Sequence, residues 1–100
     1  MLGSVISMQL SSSVILDDSQ PVLVFNGEID LATVPACSDM LTKFVDDHAG
    51  SQIAVDIRQV TALDDTGVGV ILAAVARART AGSHLALIID DPQMRTRFGL

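Results

Sequence analysis

Two apolar runs, Ile53-Ala54-Val55-Asp56-Ile57 and Leu85-Ala86-Leu87-Ile88-Ile89, flank a stretch of helical character, and that arrangement narrows the fold more than any other feature. Near-continuous apolar runs of this length are typical of strands buried on both faces of a parallel sheet. Parallel neighbours need a crossover connection, and a helix from Asp64 or Asp65 to about Ala81 is long enough to supply one. Gly82 is well placed to cap its end. The expected class is therefore α/β.

The remaining segments extend this unit. Residues 4–16 read as an irregular first strand relieved by Ser11, Ser12 and Ser13. Asp17-Asp18-Ser19-Gln20-Pro21 reads as a turn, followed by a buried strand Val22-Leu23-Val24-Phe25 that Asn26-Gly27 ends. So short a turn makes the two strands antiparallel. Glu28 to Thr33 then leads into a helix to about His48, with Val34, Cys37, Leu41, Phe44 and Val45 on one face. Asp46 and Asp47 fall at the end that the helix dipole disfavours, so fraying is expected there before Gly50. Asp90-Asp91-Pro92 opens a short basic helix. The predicted order is β-β-α-β-α-β-α: a mixed β-sheet with helices packed on it and right-handed crossovers.

With 100 residues the chain holds one hydrophobic core and is expected to be a single domain over 1–100. It stops at Phe98-Gly99-Leu100, where a glycine cap leads onward, so a C-terminal continuation is expected in the native protein. The net charge is −6 with six basic residues and three aromatics, which argues against nucleic acid as a partner. No apolar run reaches the roughly 18 residues of a membrane span, and no basic region precedes an apolar stretch at the N-terminus. A single cysteine fits a reducing compartment, and a cytoplasmic location is expected.

Chemistry concentrates in Leu63-Asp64-Asp65-Thr66-Gly67-Val68-Gly69-Val70. Helical phasing from Asp64 or Asp65 turns Val68, Ile71, Leu72, Val75 and Ala78 to the sheet. It places Thr66, Val70, Ala73 and Arg77 on the opposite side, a stripe with small apolar members that suits docking. Gly67 and Gly69 leave the Thr66 hydroxyl approachable. The helix terminus would stabilise a phosphate there. On these residues alone, simple capping of the helix by Asp64 is the leading account.

The wider pattern adds a second account. Val24-Phe25-Asn26-Gly27-Glu28-Ile29-Asp30, Ile53-Ala54-Val55-Asp56-Ile57 and Val60-Thr61-Ala62-Leu63-Asp64-Asp65-Thr66-Gly67-Val68-Gly69-Val70 occur in order with unbroken spacing. Ala78-Arg79-Thr80-Ala81-Gly82 and the Leu85–Ile89 run follow. The chain resembles the STAS domain family, and within it the stand-alone anti-anti-sigma factors, over nearly its whole length. The resemblance implies an anti-sigma factor antagonist that is not an enzyme and needs no cofactor or metal. Its partner would be an anti-sigma factor that is a Ser/Thr kinase; binding it releases a sigma factor. Thr66 matches the phosphorylated hydroxyl, and a Ser/Thr phosphatase would restore the active form.

By the same resemblance, Asp64 matches the acid at the helix start, and Asp30 an acid beside the phosphosite that meets the kinase. Asp64, Asp65, Gly67 and Gly69 would support the phosphosite, and Asp30, Thr66, Val70 and Ala73 would form the contact surface. Asp65 departs from the family pattern by putting a fixed charge where a second hydroxyl is usual. A missing C-terminal tail would favour homodimers. Two alternatives stay open: an accessory subunit of a transporter or signalling complex, and a small-ligand or nucleotide sensor. A neighbouring permease gene would favour the former, and saturable nucleotide binding the latter.

The other reactive side chains read as structural. Asp56 closes a strand as receiver-domain phosphoacceptors do, but no lysine follows Lys43 to complete that chemistry. Cys37 lies on the apolar helix face, and His48 and His84 sit near element ends without a Cys or His pair. Asp17 and Asp18 are turn residues without the alternating spacing of a calcium loop.

Overall fold

The computed structural model describes residues 9–100. Their elements are β1 Ser11–Asp17, β2 Gln20–Ile29, α1 Val34–Asp47, β3 Gln52–Leu63, α2 Asp65–Thr80, β4 His84–Ile88 and α3 Pro92–Arg97. This is the expected β-β-α-β-α-β-α order; the first residues of the expected opening strand, 4–8, lie outside the described residues. The four strands stand in the order β1-β2-β3-β4, with β1 and β2 antiparallel and the other two pairings parallel.

The β1–β2 hairpin is tighter than the sequence suggests. Asp17 pairs with Gln20, which leaves a two-residue loop of Asp18 and Ser19 at φ 51° and 70°. Two left-handed residues make the turn whose twist matches that of the strands it joins. The residues flanking such a loop exchange hydrogen bonds, so Asp17–Gln20 is a bonded pair and the next, Leu16–Pro21, is not. Pro21 therefore lacks an N–H where β1 does not need one.

Two strands outrun their apolar signals. β2 does not end at Asn26-Gly27 but continues to Ile29, with register shifts around these residues and Gly27 at φ 116°. β3 continues past Ile57 to Leu63, which leaves Asp56 in mid-strand rather than at an end. The two extensions pair with each other, Gly27 with Val60 and Ile29 with Leu63. The Asn26 amide also donates to Gln59 Oε1 at 2.9 Å. Their order comes from this pairing, 33 or 34 positions apart in the chain, and not from hydrophobicity.

One sheet face carries the core. Leu23, Phe25, Ile53, Val55 and Ile57 are buried together with Leu41, Phe44, Val45 and Ile71 of the helices. On the alternate face Asp56 accepts from its neighbour Arg58, through Nε at 3.1 Å and a terminal nitrogen at 2.8 Å. These bonds hold the Asp56 carboxyl below its ordinary value despite its burial. Asp56 is thus a paired structural acid.

α1 buries the face expected of it: Cys37, Leu41, Phe44 and Val45. Its acidic end is pinned, contrary to the fraying expected. Asp46 accepts from Arg77 at 3.1 and 2.9 Å, and Asp47 from Lys43 at 3.0 Å. His48 caps the helix with Nδ1 2.8 Å from the Phe44 carbonyl oxygen. Cations on α1 and α2 thus offset an unfavourable dipole.

The phase of α2 also differs from expectation. Gly67, Val68, Ile71, Ala74 and Ala78 are buried, whereas Leu72 is 43% exposed and Val75 half-buried. α2 packs against α1 as well as the sheet. Facing two neighbours rotates the buried stripe toward its small residues, which allow close approach.

Candidate functional site

Parallel pairing delivers the C-terminal ends of β2 and β3 side by side. Ile29 and Leu63 are register partners, and the Asp64 N–H donates to the Ile29 carbonyl at 3.1 Å. The turn after β2 and the start of α2 are thereby stitched together, which brings Asp30 next to Asp64.

Asp64 is the N-cap of α2. Its extended backbone turns the carboxylate over the first turn, where it accepts from the Gly67 N–H at 3.0 Å. Capping by Asp64 is thus a fact of the structure, and it does not compete with a role for Thr66. The N–H groups of Asp65 and Thr66 have no carbonyl one turn back within the helix to accept from them. Thr66 is exposed in this turn. The segment's side-chain bonds run from Gly67 to Asp64 and from Arg97 to Asp65, and the Thr66 hydroxyl enters neither. It is presented to solvent.

The two glycines differ. A Cβ on Gly67 would lie 2.6 Å from Ile29 Cγ2 and 2.7 Å from Leu63 Cδ1. Gly67 is buried and lets α2 sit tightly on the strand ends, so the expectation that it exposes Thr66 is corrected. Gly69 has open space around its Cα, and it alone of the pair leaves the surface clear.

Asp65, fully exposed, pairs with Arg97 of α3 at 3.0 Å, and Arg97 also donates to the Leu63 carbonyl. The fixed charge beside Thr66 thus has a cation partner. Arg97 carried no signal in the sequence beyond the basic character of α3, because it lies 32 positions away.

Asp30 is first of all a turn residue. Its Oδ1 accepts from the N–H groups of Ala32 at 2.9 Å and Thr33 at 3.1 Å. Thr33, 5% exposed, donates its hydroxyl to the Glu28 carbonyl at 2.8 Å and accepts from the Asp30 N–H at 2.9 Å. This network fixes the loop and leaves Leu31 74% exposed at its tip. A lone leucine in a turn has no periodicity in the sequence to mark this exposure.

Val70 and Ala73 line a cleft of about 210 Å³ between α1 and α2, with Leu41, Thr42 and Arg77. The stripe from Thr66 therefore leans over α1 and does not point away from the fold. Val70 is half-buried against the core, and Arg77 is held by Asp46. Among the described residues, no three His, Cys, Asp or Glu side chains converge as a metal site. Cys37 is buried, which pushes its thiol up to about 11 and keeps it neutral. No helix among the described residues is long and apolar enough to cross a membrane.

Comparison with known proteins agrees with this geometry. A search of curated proteins finds no match. An anti-sigma factor antagonist from Mycobacterium paratuberculosis superposes with a TM-score of 0.77 at 21% identity, over 91% of this chain and 76% of that one. The anti-sigma factor antagonist SpoIIAA of Bacillus in its unphosphorylated form gives 0.69 at 19% identity, over 89% and 82% of the two chains. Its phosphorylated form gives 0.66 at 18%, over 89% and 81%. At such identities the likeness is one of fold. The family model described as Mlab, STAS domain, matches residues 12–99. With that match over most of its length, the chain belongs to the STAS domain family.

Proposed function

We propose that this chain is an anti-sigma factor antagonist, a binding protein and not an enzyme, whose affinity for an anti-sigma factor is gated by phosphorylation of Thr66. The observation that carries this reading is the Thr66 hydroxyl itself. It is exposed in the first turn of α2, clear of the N-cap bond and beside the open Gly69. The fold it shares with antagonists, one of them solved in both unphosphorylated and phosphorylated forms, supports it.

In the unphosphorylated state Thr66, the Asp30 turn, Val70 and Ala73 form the contact surface, and binding releases a sigma factor. The anti-sigma factor acts as the Ser/Thr kinase, and a Ser/Thr phosphatase reverses the modification. The system is bacterial and cytoplasmic, the setting of its transcriptional partners. The pairing of Asp65 with Arg97, which offsets the fixed charge beside Thr66, supports this cycle.

Phosphothreonine adds about −1.5 to −2 charges at neutral pH. Unit charges about 4 Å apart interact by roughly 1 kcal/mol in water and about 4 kcal/mol at an effective dielectric of 20. Enclosing the dianion beside Asp64 and Asp30 at an interface therefore lowers affinity by about one to three orders of magnitude without refolding the domain.

The test is to incubate the protein with candidate anti-sigma kinases and ATP, locate phosphate by mass spectrometry, and titrate both forms against the kinase. Phosphate on Thr66, absent in Thr66→Ala, with affinity reduced at least tenfold, is the expected result. Phosphate elsewhere, or equal affinity of both forms, defeats the proposal.

A further inference from the structure

The outer edge of β1 is built for pairing, and the residues of the Thr66 site do not use it. All seven residues of β1 are exposed, including Val14 at 55%, Ile15 at 49% and Leu16 at 73%. Among the described residues nothing pairs with this edge. Sheet edges are ordinarily guarded by proline, lysine, a bulge or short length. β1 has none of these: its sequence is Ser-Ser-Ser-Val-Ile-Leu-Asp and its register with β2 is unbroken. The opposite edge, β4, has five residues, mostly buried or half-buried, and is followed by Asp90, Asp91 and Pro92.

We propose that β1 pairs antiparallel with β1 of a second copy, about a two-fold axis at Val14, to form a continuous eight-stranded sheet. The hydrogen-bond phase of the hairpin fixes this register. Bonded pairs alternate from Asp17–Gln20, so Ile15, Ser13 and Ser11 turn their backbone groups to β2. Ser12, Val14 and Leu16 turn theirs outward. With Val14 opposite the partner's Val14, Ser12 meets the partner's Leu16 and every outward N–H and C=O finds an acceptor or donor.

Charge selects a second copy in this orientation. Two chains of net charge −6 repel, yet the one charge on β1 is Asp17 at its end. Antiparallel pairing places the two Asp17 side chains roughly 20 Å apart, more than twice the Debye length of about 8 Å at physiological salt. Each lies opposite the partner's Ser11, a hydroxyl donor. Parallel pairing would set the two acids side by side.

Area places this interface among the weak, reversible ones. The apolar side chains of β1 expose roughly 300 Å² per chain, which with the paired backbone buries roughly 1,000 Å² in all, the low end of specific interfaces. Val14 and the neighbouring groove of about 170 Å³, walled by Leu23, Met40 and Phe44, are covered in the process. The expected dimer is of micromolar affinity.

Sedimentation velocity from about 5 to about 500 µM, a range that brackets such an affinity, should show wild-type protein passing from monomer to dimer. Leu16→Lys alters an exposed side chain, so its circular dichroism should match wild type while its association weakens at least tenfold. Under mild oxidation Val14→Cys should cross-link two chains faster than Ser13→Cys, because Ser13 faces the partner's Ile15. A monomer throughout, or a dimer indifferent to Leu16→Lys, overturns the proposal. Faster cross-linking through Ser13→Cys overturns the register.

Discussion

Gly67 and Gly69 lie two residues apart in one helical turn, and replacing each with alanine should change stability in opposite directions. At Gly67 the new methyl would sit 2.6 Å from Ile29 Cγ2 and 2.7 Å from Leu63 Cδ1. Carbon atoms rest at about 3.5–4.0 Å, so each contact is roughly 1 Å too short. Leu63 is met at the end of its side chain and can turn aside. Ile29 cannot, because Cγ2 branches from Cβ on a fully buried residue. Overpacking of this kind costs about 1–3 kcal/mol. The better helix propensity of alanine returns at most about 1 kcal/mol, and less near a helix start. Gly67→Ala should thus lose about 1–2 kcal/mol and roughly 5–15 °C in Tm. At Gly69 nothing lies within 4 Å. Propensity acts there unopposed, and Gly69→Ala should gain about 0.5–1 kcal/mol. Urea unfolding at constant m-value, with calorimetry, reads both. A Gly67→Ala protein as stable as wild type would refute the tight seating of α2 on the strand ends.

Two further perturbations test the electrostatics. Burial raises the Cys37 thiol from 9.0 to about 11, so the folded state holds its proton more tightly than the unfolded state. The resulting stability is fully present below pH 9 and is lost as pH rises through 11, by about 3 kcal/mol at most. Urea unfolding under reductant at pH 7.5 and 10.5 should show the loss in wild type and a shallower one in Cys37→Ala; equal slopes would contradict it. Asp65→Ala should leave stability essentially unchanged, since that carboxylate is fully exposed and its ion pair is screened by solvent. Arg97→Ala should cost about 1 kcal/mol more, because the Leu63 carbonyl also loses its donor. Equal effects in denaturant titrations would show that the bond to Leu63 contributes nothing.

What the sequence revealed was whatever local period or local chemistry encodes. The α1 face of Cys37, Leu41, Phe44 and Val45, the capping Asp64, and the alternation of strands and helices were all legible in this way. The strand extensions after Phe25 and Ile57 were not, because only their mutual pairing orders them. Nor was the inward turn of Gly67, since a glycine has no side chain to reveal its direction. The phase of α2 differs from ideal helical phasing because the helix packs against α1 as well as the sheet, which turns its small residues inward and leaves Leu72 exposed. Arg97 and Leu31 carry no local signal: Arg97 reaches Asp65 across 32 positions, and Leu31 is a lone leucine exposed in a turn.

The bond from the Asp64 N–H to the Ile29 carbonyl makes the loops after β2 and β3 one opening unit. Separating the Asp30 turn from the start of α2 frees that amide, whichever of the two moves. Its hydrogen-exchange rate is therefore a single-site readout of that separation. A partner that clamps both loops slows exchange at Asp64 without touching it. One that seizes only the exposed tip at Leu31 leaves it unchanged, so this one amide separates the two modes of capture.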